Sequence, residues 1–350
     1  MAVLLKIFQA GDGDCLVCEF DNGGKLFRLM VDGGVGSTFD RYTKAWLEAL
    51  DGEVDLAVVT HIDDDHIGGM IAILNDAEAR KKIKSIWFNG YKHLPVRSGT
   101  QSFSVGQGES LTKLIEESDI PWNEHFGYEA VNINKDGSPR VIDLSFAAKI
   151  SILSPGIPEL TQLKKAWDDG LVILEARAQA KLNKKKGRQS FGGINIDALA
   201  DPLLYKKDKS PTNASSIAFL LEVGEHGILF AGDALAEVIC ESWIAGKNGV
   251  RPIDIFKVSH HGSAKNTNED LLHLFPAPKY VISTSGEVHP LPDNATLARI
   301  ITQGHPNPLL IFNHTNSITS VWSDTSVSNE RHTAQYAKAG EVLEIRLPEL

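Results

Sequence analysis

The apolar run Val54 to Val59 breaks off into Thr60-His61-Ile62-Asp63-Asp64-Asp65-His66-Ile67-Gly68-Gly69. A strand that ends by releasing His, Asp, Asp and His into one short polar loop is arranged to hold metal, and nothing else in the chain constrains it as much. Alternate side chains share a side along extended backbone. The spacing therefore predicts His61, Asp63 and Asp65 together, with His66 following where the glycines open the next helix. Imidazole and carboxylate together suit borderline or hard divalent ions such as Zn²⁺ or Mn²⁺. A solvated acidic loop is the alternative, although such loops seldom carry two flanking histidines and neither Lys nor Arg.

Other strands end in the same way. Gly227 to Ala231 runs into Gly232-Asp233, and Ile253 to Val258 runs into Ser259-His260-His261-Gly262-Ser263. Asp233 and His261 are natural ligand donors at such ends. Asp233 could instead cap the helix that follows, and strand alternation would turn His260 away from His261. The N-terminal segments Val3 to Phe8, Cys15 to Phe20 and Leu26 to Val31 read as an antiparallel meander. Val54 to Thr60 reads as a buried strand, followed by a helix from about Met70 to Lys82 and the strand Ser85 to Phe88. Strands at Ser215 to Val223, Gly227 to Phe230, Ile253 to Val258, Lys279 to Ser283, Leu309 to Phe312 and Glu341 to Leu347 alternate with helices. This order predicts an α/β (α+β) chain of two mixed sheets packed face to face with helices outside. The 350 residues are read as one domain, 1–350, in which 155–210 is a mostly helical charged insertion that looks like a lid.

With 42% hydrophobic residues the chain can build a sizeable core. No apolar stretch reaches the ~18 residues of a membrane span and no basic-then-apolar leader follows Met1, so a cytoplasmic protein without a membrane partner is expected. Cys15, Cys18 and Cys240 cannot all pair and read as free thiols. A net charge of −10 argues against a generally basic nucleic-acid binder. Lys184, Lys185 and Lys186, with Lys181 and Arg188 around them and Lys206, Lys207 and Lys209 beyond, read either as a solvated face or as a phosphate-attracting rim.

The motifs occur in an order that resembles the metallo-β-lactamase-fold hydrolases, in particular the branch typified by the DNA-uptake-associated ComEC hydrolase domain. The matching pieces are Gly11-Asp12-Gly13-Asp14, Val31-Asp32-Gly33-Gly34, Thr60 to Gly69, Asn213 to Ser216, Phe230 to Ala234, Lys257 to Ser263 and Ser283 to Pro290. The resemblance implies an αββα sandwich with one or two divalent ions, Zn or Mn, at one edge of the sheets. It implies one ion on Asp65, His66 and His261, another on His61 and Asp63, and Asp233 bridging. Asp63 stands where a second His is commoner. No separate middle His precedes the Gly232-Asp233 strand, where Thr212-Asn213-Ala214-Ser215-Ser216 lies instead. Both departures harden that position, which admits Mn²⁺ or partial occupancy beside Zn²⁺.

Such ions make water a nucleophile near neutral pH. In this reading Asp65 orients the water, Asp32 supports the ligands, and His289 donates a proton to the leaving group or hydrogen-bonds the substrate. Asp14, Asn213 and His260 stand as further supporting or substrate-facing residues. His289 could simply be structural before Pro290, and Asp14 simply turn-forming. The expected activity is hydrolysis of a phosphodiester in nucleic acid or a nucleotide. Hydrolysis of a lactone, thioester or β-lactam on the same fold is the alternative, as is a non-catalytic binding subunit, and a gating partner protein is left open.

Overall fold

A computed structural model describes residues 2–21, 23–95, 106–145, 148–170 and 194–349. Among the described residues, fourteen strands form two sheets. The first runs β14(Leu343–Leu347), β1(Val3–Ile7), β2(Leu16–Asp21), β3(Leu26–Val31), β4(Leu56–Val58), β5(Ile86–Trp87). Pairing is antiparallel from β14 through β3 and parallel from β3 to β5. The second runs β13(Thr333–Tyr336), β12(Leu309–Phe312), β11(Lys279–Ile282), β10(Ile255–Lys257), β9(His226–Phe230), β8(Ala218–Val223), β7(Ala148–Ser154), β6(Arg140–Ser145). It is antiparallel from β6 to β9 and parallel from β9 to β13.

Three apolar layers follow from this order. Between the sheets lie Leu5, Cys18, Leu29, Val58, Ile150, Phe219, Phe230, Ile255 and Val281, all fully buried. The outer face of the first sheet packs Met30, Ala57 and Phe88 against helix residues such as Met70, Ile73 and Leu111. The outer face of the second packs Leu220, Leu229 and Phe256 against Ile239, Leu271 and Leu297. Because both faces of each central strand are covered, these strands read as continuous apolar runs rather than as alternation. The result is the two-sheet sandwich with helices outside that the pattern predicts. All three cysteines are free and buried. No helix among the described residues is long and apolar enough to cross a membrane.

The structure departs from expectation at the edges of the second sheet. β6 and β13 were invisible to the pattern, and they are the two edges of the eight-stranded sheet. Their side chains alternate between exposed and half-buried, and a single neighbour supplies the pairing that makes them strands. At both ends of the 155–210 segment the described residues pack into the body. Leu160, Leu163 and Trp167 of the helix Ile157–Asp168 join the layer outside the first sheet, and Ile196 joins the layer outside the second. Lys184, Lys185 and Lys186 lie outside the described residues.

The helix after β4 is also displaced from expectation. It runs Asp64–Asn75, so Gly68 and Gly69 sit inside it instead of opening it. Their value is close approach: a Cβ on Gly69 would collide with the Gly33 carbonyl. The two backbones lock through Gly33 N–H to the His66 carbonyl at 2.8 Å and Gly69 N–H to the Gly34 carbonyl at 2.8 Å. The extra backbone entropy of helical glycine is accepted so that the end of β3 can lie against the helix.

Phe219 and Phe230 stack across β8 and β9 with centroids 5.0 Å apart, in the strand pair that leads to Asp233. Phe219→Ala is expected to destabilise by about 3–5 kcal/mol, read as a lower urea midpoint at unchanged slope.

Candidate metal centre

The strands of both sheets end at one edge, and there the loop after β4 meets the loops after β9 and β10. Thr60 binds the two sheets together, its carbonyl accepting from Ile217 N–H at 2.9 Å. Asp63 is the N-cap of the helix Asp64–Asn75, yet its side chain makes no cap hydrogen bond. An N-cap carboxylate normally accepts from the first-turn amides. Here Oδ2 lies 3.5 Å from His61 Nε2 and accepts from Thr212 Oγ1 at 3.3 Å. Asp65 is in the first helical turn, so strand alternation does not govern it. It parts from His61 and Asp63 and faces His261, Oδ2 lying 3.4 Å from Nε2.

Each imidazole is aimed by what holds its other nitrogen. His66 Nδ1 is 2.8 Å from Asp32 Oδ2. The fully buried Asp32, at φ 57°, also accepts from Thr60 N–H at 2.7 Å and Thr60 Oγ1 at 2.8 Å. His261 Nδ1 donates to the Ser283 carbonyl at 2.8 Å. His61 Nδ1 sits 3.0 Å from Thr60 Oγ1. All three Nε2 atoms are thereby turned inward. A partner on the far nitrogen is what sets ring orientation and basicity in a metal-ligating histidine.

Asp233 is the point of convergence. Its Oδ1 lies 3.4 Å from His66 Nε2 and 3.6 Å from His261 Nε2, while those two nitrogens are 3.1 Å apart. Its Oδ2 lies 3.7 Å from His61 Nε2. Asp233 caps no helix, since the next one, Ala236–Ala245, has Leu235 at its N-cap. His61 Nε2 and Asp233 Oδ1 are buried without a hydrogen-bond partner, a condition that costs about 1–3 kcal/mol per group if nothing offsets it. Donors at 2.0–2.2 Å from a tetrahedral zinc stand about 3.3 Å from one another. The spacings observed fit a divalent ion, and the mixed imidazole and carboxylate set suits Zn²⁺ or Mn²⁺.

His260 departs from expectation. β10 ends at Lys257, and His260 and His261 both take left-handed backbone, φ 48° and 54°. Alternation is broken and the two rings turn to the same site. His260 Nε2 lies 3.7 Å from Asp233 Oδ2. Asn213 is drawn in beside it, 3.3 Å from His260 Nδ1.

A fourth group, Asp14, has a ligand atom within 4.8 Å of those of His66, Asp233 and His261. Its Oδ1, however, approaches the Nδ1 edge of His261 at 3.4 Å, and its Oδ2 pairs with Lys257. Asp14 therefore orients His261 from behind. A Cβ on Gly13 would strike the Asp65 carbonyl, so only glycine lets this turn lie against the helix start. Asp12 holds a different loop, accepting from Ser285 Oγ and from the amides of Glu287 at 3.1 Å, Val288 at 2.8 Å and His289 at 2.6 Å. His289 is thus carried, half-buried, on a loop seated at the same edge.

Sequence reasoning missed Lys257, Asp208 and Asn266. Lys257 did leave a signal, a cation inside the apolar strand Ile255-Phe256-Lys257-Val258, for which burial demands an anion. His93 is buried with neither ring nitrogen hydrogen-bonded. It packs edge-on to Trp122 at 4.4 Å, and burial with Lys92 nearby pushes its pKa down to about 4.

The charges of the centre sustain one another. Burial opposes charge on His66, but Asp233, Asp32 and Asp65 outweigh it and raise its pKa well above the ordinary value. Burial likewise opposes charge on His261, and Asp233 and Asp14 hold its pKa up at about 10. Burial would raise Asp233, yet His260, His261 and His66 hold it well below an ordinary carboxylate. A divalent ion can take the place of the protons on these nitrogens.

Comparison with known proteins follows the same lines. The model of the Metallo-beta-lactamase superfamily matches residues 11–135 and 209–286. No curated protein matches the chain. Among solved structures, one described as a new diphosphatase from the PhnP family is similar at 12% identity and TM-score 0.43, over 99% of this chain and 98% of that one. Another, provisionally named a metal-dependent hydrolase from Parabacteroides distasonis ATCC 8503, is similar at 12% identity and TM-score 0.34, over 93% of this chain and 95% of that one. Likenesses this distant bear on neither substrate nor mechanism.

Lys257 and Asp14 are each 1% exposed. Removing one partner strands the other charge, so Lys257→Met is expected to lose about 3–5 kcal/mol, and adding Asp14→Asn should return part of it, read by urea unfolding at pH 7. Burial raises the Asp14 carboxyl, but Lys257 and His261 bring it down from 3.8 to about 2. The stabilisation from that shift is complete above the unfolded value and fades as pH falls through the folded one. Between pH 4 and 2 the parent should therefore lose more stability than the double variant.

Proposed function

Because the chain belongs to the metallo-beta-lactamase superfamily, its model matching residues 11–135 and 209–286, we propose that it is a metal-dependent hydrolase of phosphodiester bonds in nucleic acid or a nucleotide. The motif series from Gly11 to Pro290 supports the ComEC-like branch. We place the protein in the cytoplasm, where its three unpaired thiols stay reduced.

The observation that carries the reading is the placing of Asp233, with imidazole nitrogens facing both of its oxygens. Bound divalent ions supply Lewis acidity toward a phosphoryl oxygen and lower the pKa of water. His66, His261, Asp65 and Asp233 would hold one; His61, Asp63 and Asp233 stand on the other side. Asp65 keeps 22% of its side chain exposed while touching His261, so it can orient an attacking water at the solvent face. His289, on the loop seated by Asp12, is the residue we assign to protonating the leaving oxygen or binding the substrate. Lys206, Lys207 and Lys209 are exposed on either side of the buried Asp208, which faces His260 at 3.3 Å. In a chain of net charge −10, cations flanking a residue that faces the centre favour an anionic substrate.

The test is an assay of metal-loaded protein on a bis-aryl phosphodiester, single-stranded DNA, duplex DNA and a lactone. Phosphodiester cleavage is expected, and consumption of the lactone alone would overturn the assignment. Asp233→Ala and His261→Ala should each lower kcat/KM by more than the ~10–100-fold that loss of a supporting partner costs. Charge reversal at Lys206, Lys207 and Lys209 should raise KM for DNA and leave kcat near the parent value.

A further inference from the structure

The sequence supplies no middle histidine for the His61 side of the centre, and the structure puts another imidazole there. His260 Nε2 and His61 Nε2 each lie 3.7 Å from Asp233 Oδ2, and Asp63 Oδ2 lies 3.5 Å from His61 Nε2. His61 Nε2 is buried, without a hydrogen-bond partner, and aimed into this space. His260 reaches it only because two successive residues adopt left-handed backbone, a conformation costing roughly 1–2 kcal/mol per non-glycine residue. Strain of this kind is kept where the surroundings over-determine it. The surroundings are a built cradle: His260 Nδ1 meets Asn266 Oδ1 at 2.9 Å, Asp208 Oδ2 at 3.3 Å and Asn213 Nδ2 at 3.3 Å. Asp208 is itself fixed by Asn213 Nδ2 at 2.7 Å, Asn266 Nδ2 at 3.2 Å and the amides of Lys209 at 2.6 Å and Ser210 at 3.1 Å. A carboxylate on the far nitrogen, leaving Nε2 free to face inward, is the arrangement that orients a ligating histidine.

We propose that His260 is a metal ligand: with His61, Asp63 and Asp233 Oδ2 it completes a second divalent-cation position, and Asp208 is its positioning residue. Asp233 then bridges two positions, with His66, His261 and Asp65 on its Oδ1 side. His260 stands in for the absent middle histidine from a different strand end, and the segment just before the helix Pro211–Ala214 contributes the carboxylate that turns it. This inference rests on the metal-dependent reading of the same centre.

Mn²⁺ is titrated calorimetrically into metal-free parent, His260→Ala and Asp208→Asn, with bound metal counted by elemental analysis and spin coupling followed by electron paramagnetic resonance. The parent should take two ions and give the multiline signal of a coupled pair. His260→Ala should keep one ion at parent affinity and give the six-line signal of isolated Mn²⁺. Asp208→Asn, isosteric and off the centre, should weaken only the second event by about 10–100-fold, and it decides the matter if His260→Ala does not fold. Two ions bound at parent affinity in both variants, or a parent that binds one ion only, would overturn this inference and leave the hydrolase reading standing. A parent that binds neither Mn²⁺ nor Zn²⁺ would overturn both.

Discussion

The centre depends on one buried carboxylate. Asp233 is 3% exposed, four imidazoles converge on its two oxygens, and Oδ1 has no hydrogen-bond partner. Burying such a group is costly unless opposite charge meets it, and the fold is arranged to deliver that charge from separate strand ends. β9 presents Asp233, the loop after β4 presents His61 and His66, and the turn after β10 presents His260 and His261. The two sheets must keep their relative position for these loops to meet. The Thr60 carbonyl to Ile217 amide bond ties them together where it matters, and Asp233 N–H donating to Ser216 Oγ at 3.0 Å holds Asp233 against the neighbouring strand start within its own sheet.

Around this carboxylate lies a shell whose members come from distant parts of the chain. Asp32 closes β3 onto His66, and Asp14, from the turn after β1, backs His261 while pairing with Lys257 of β10. Asp12, from the same turn, fixes the loop bearing His289. One glycine-rich turn thus serves two purposes: a carboxylate that orients a ring and another that seats the loop bearing His289. The supporting residues are as buried as the ones they support, so the rings are preorganised before anything binds.

Much of this was legible because apolar strands ending in His and Asp leave a clear mark. The loop Thr60 to Gly69, the Gly232-Asp233 end and the Ser259 to Gly262 end all fall at one edge. What escaped was local backbone. The helix begins at Asp64, so Asp65 follows helical rather than strand geometry, and the left-handed pair His260-His261 abolishes the alternation that would have sent His260 away. Gly68-Gly69 signalled a break but served backbone contact inside a helix. Edge strands β6 and β13 escaped for a different reason: β13 is largely polar, and in β6 the alternation amounts to Ile142 and Leu144 alone, too short a run to stand out. Asp208 and Asn266 had no motif at all, since long-range placement alone gives them their roles.

The most direct test is anomalous diffraction from crystals grown with Zn²⁺ and with Mn²⁺, recorded at each metal's edge. Anomalous density is expected on both sides of the Asp233 carboxylate, one peak among His66, His261 and Asp65 and the other among His61, Asp63 and His260. Peaks confined to surface sites, with none against Asp233, would contradict that placement.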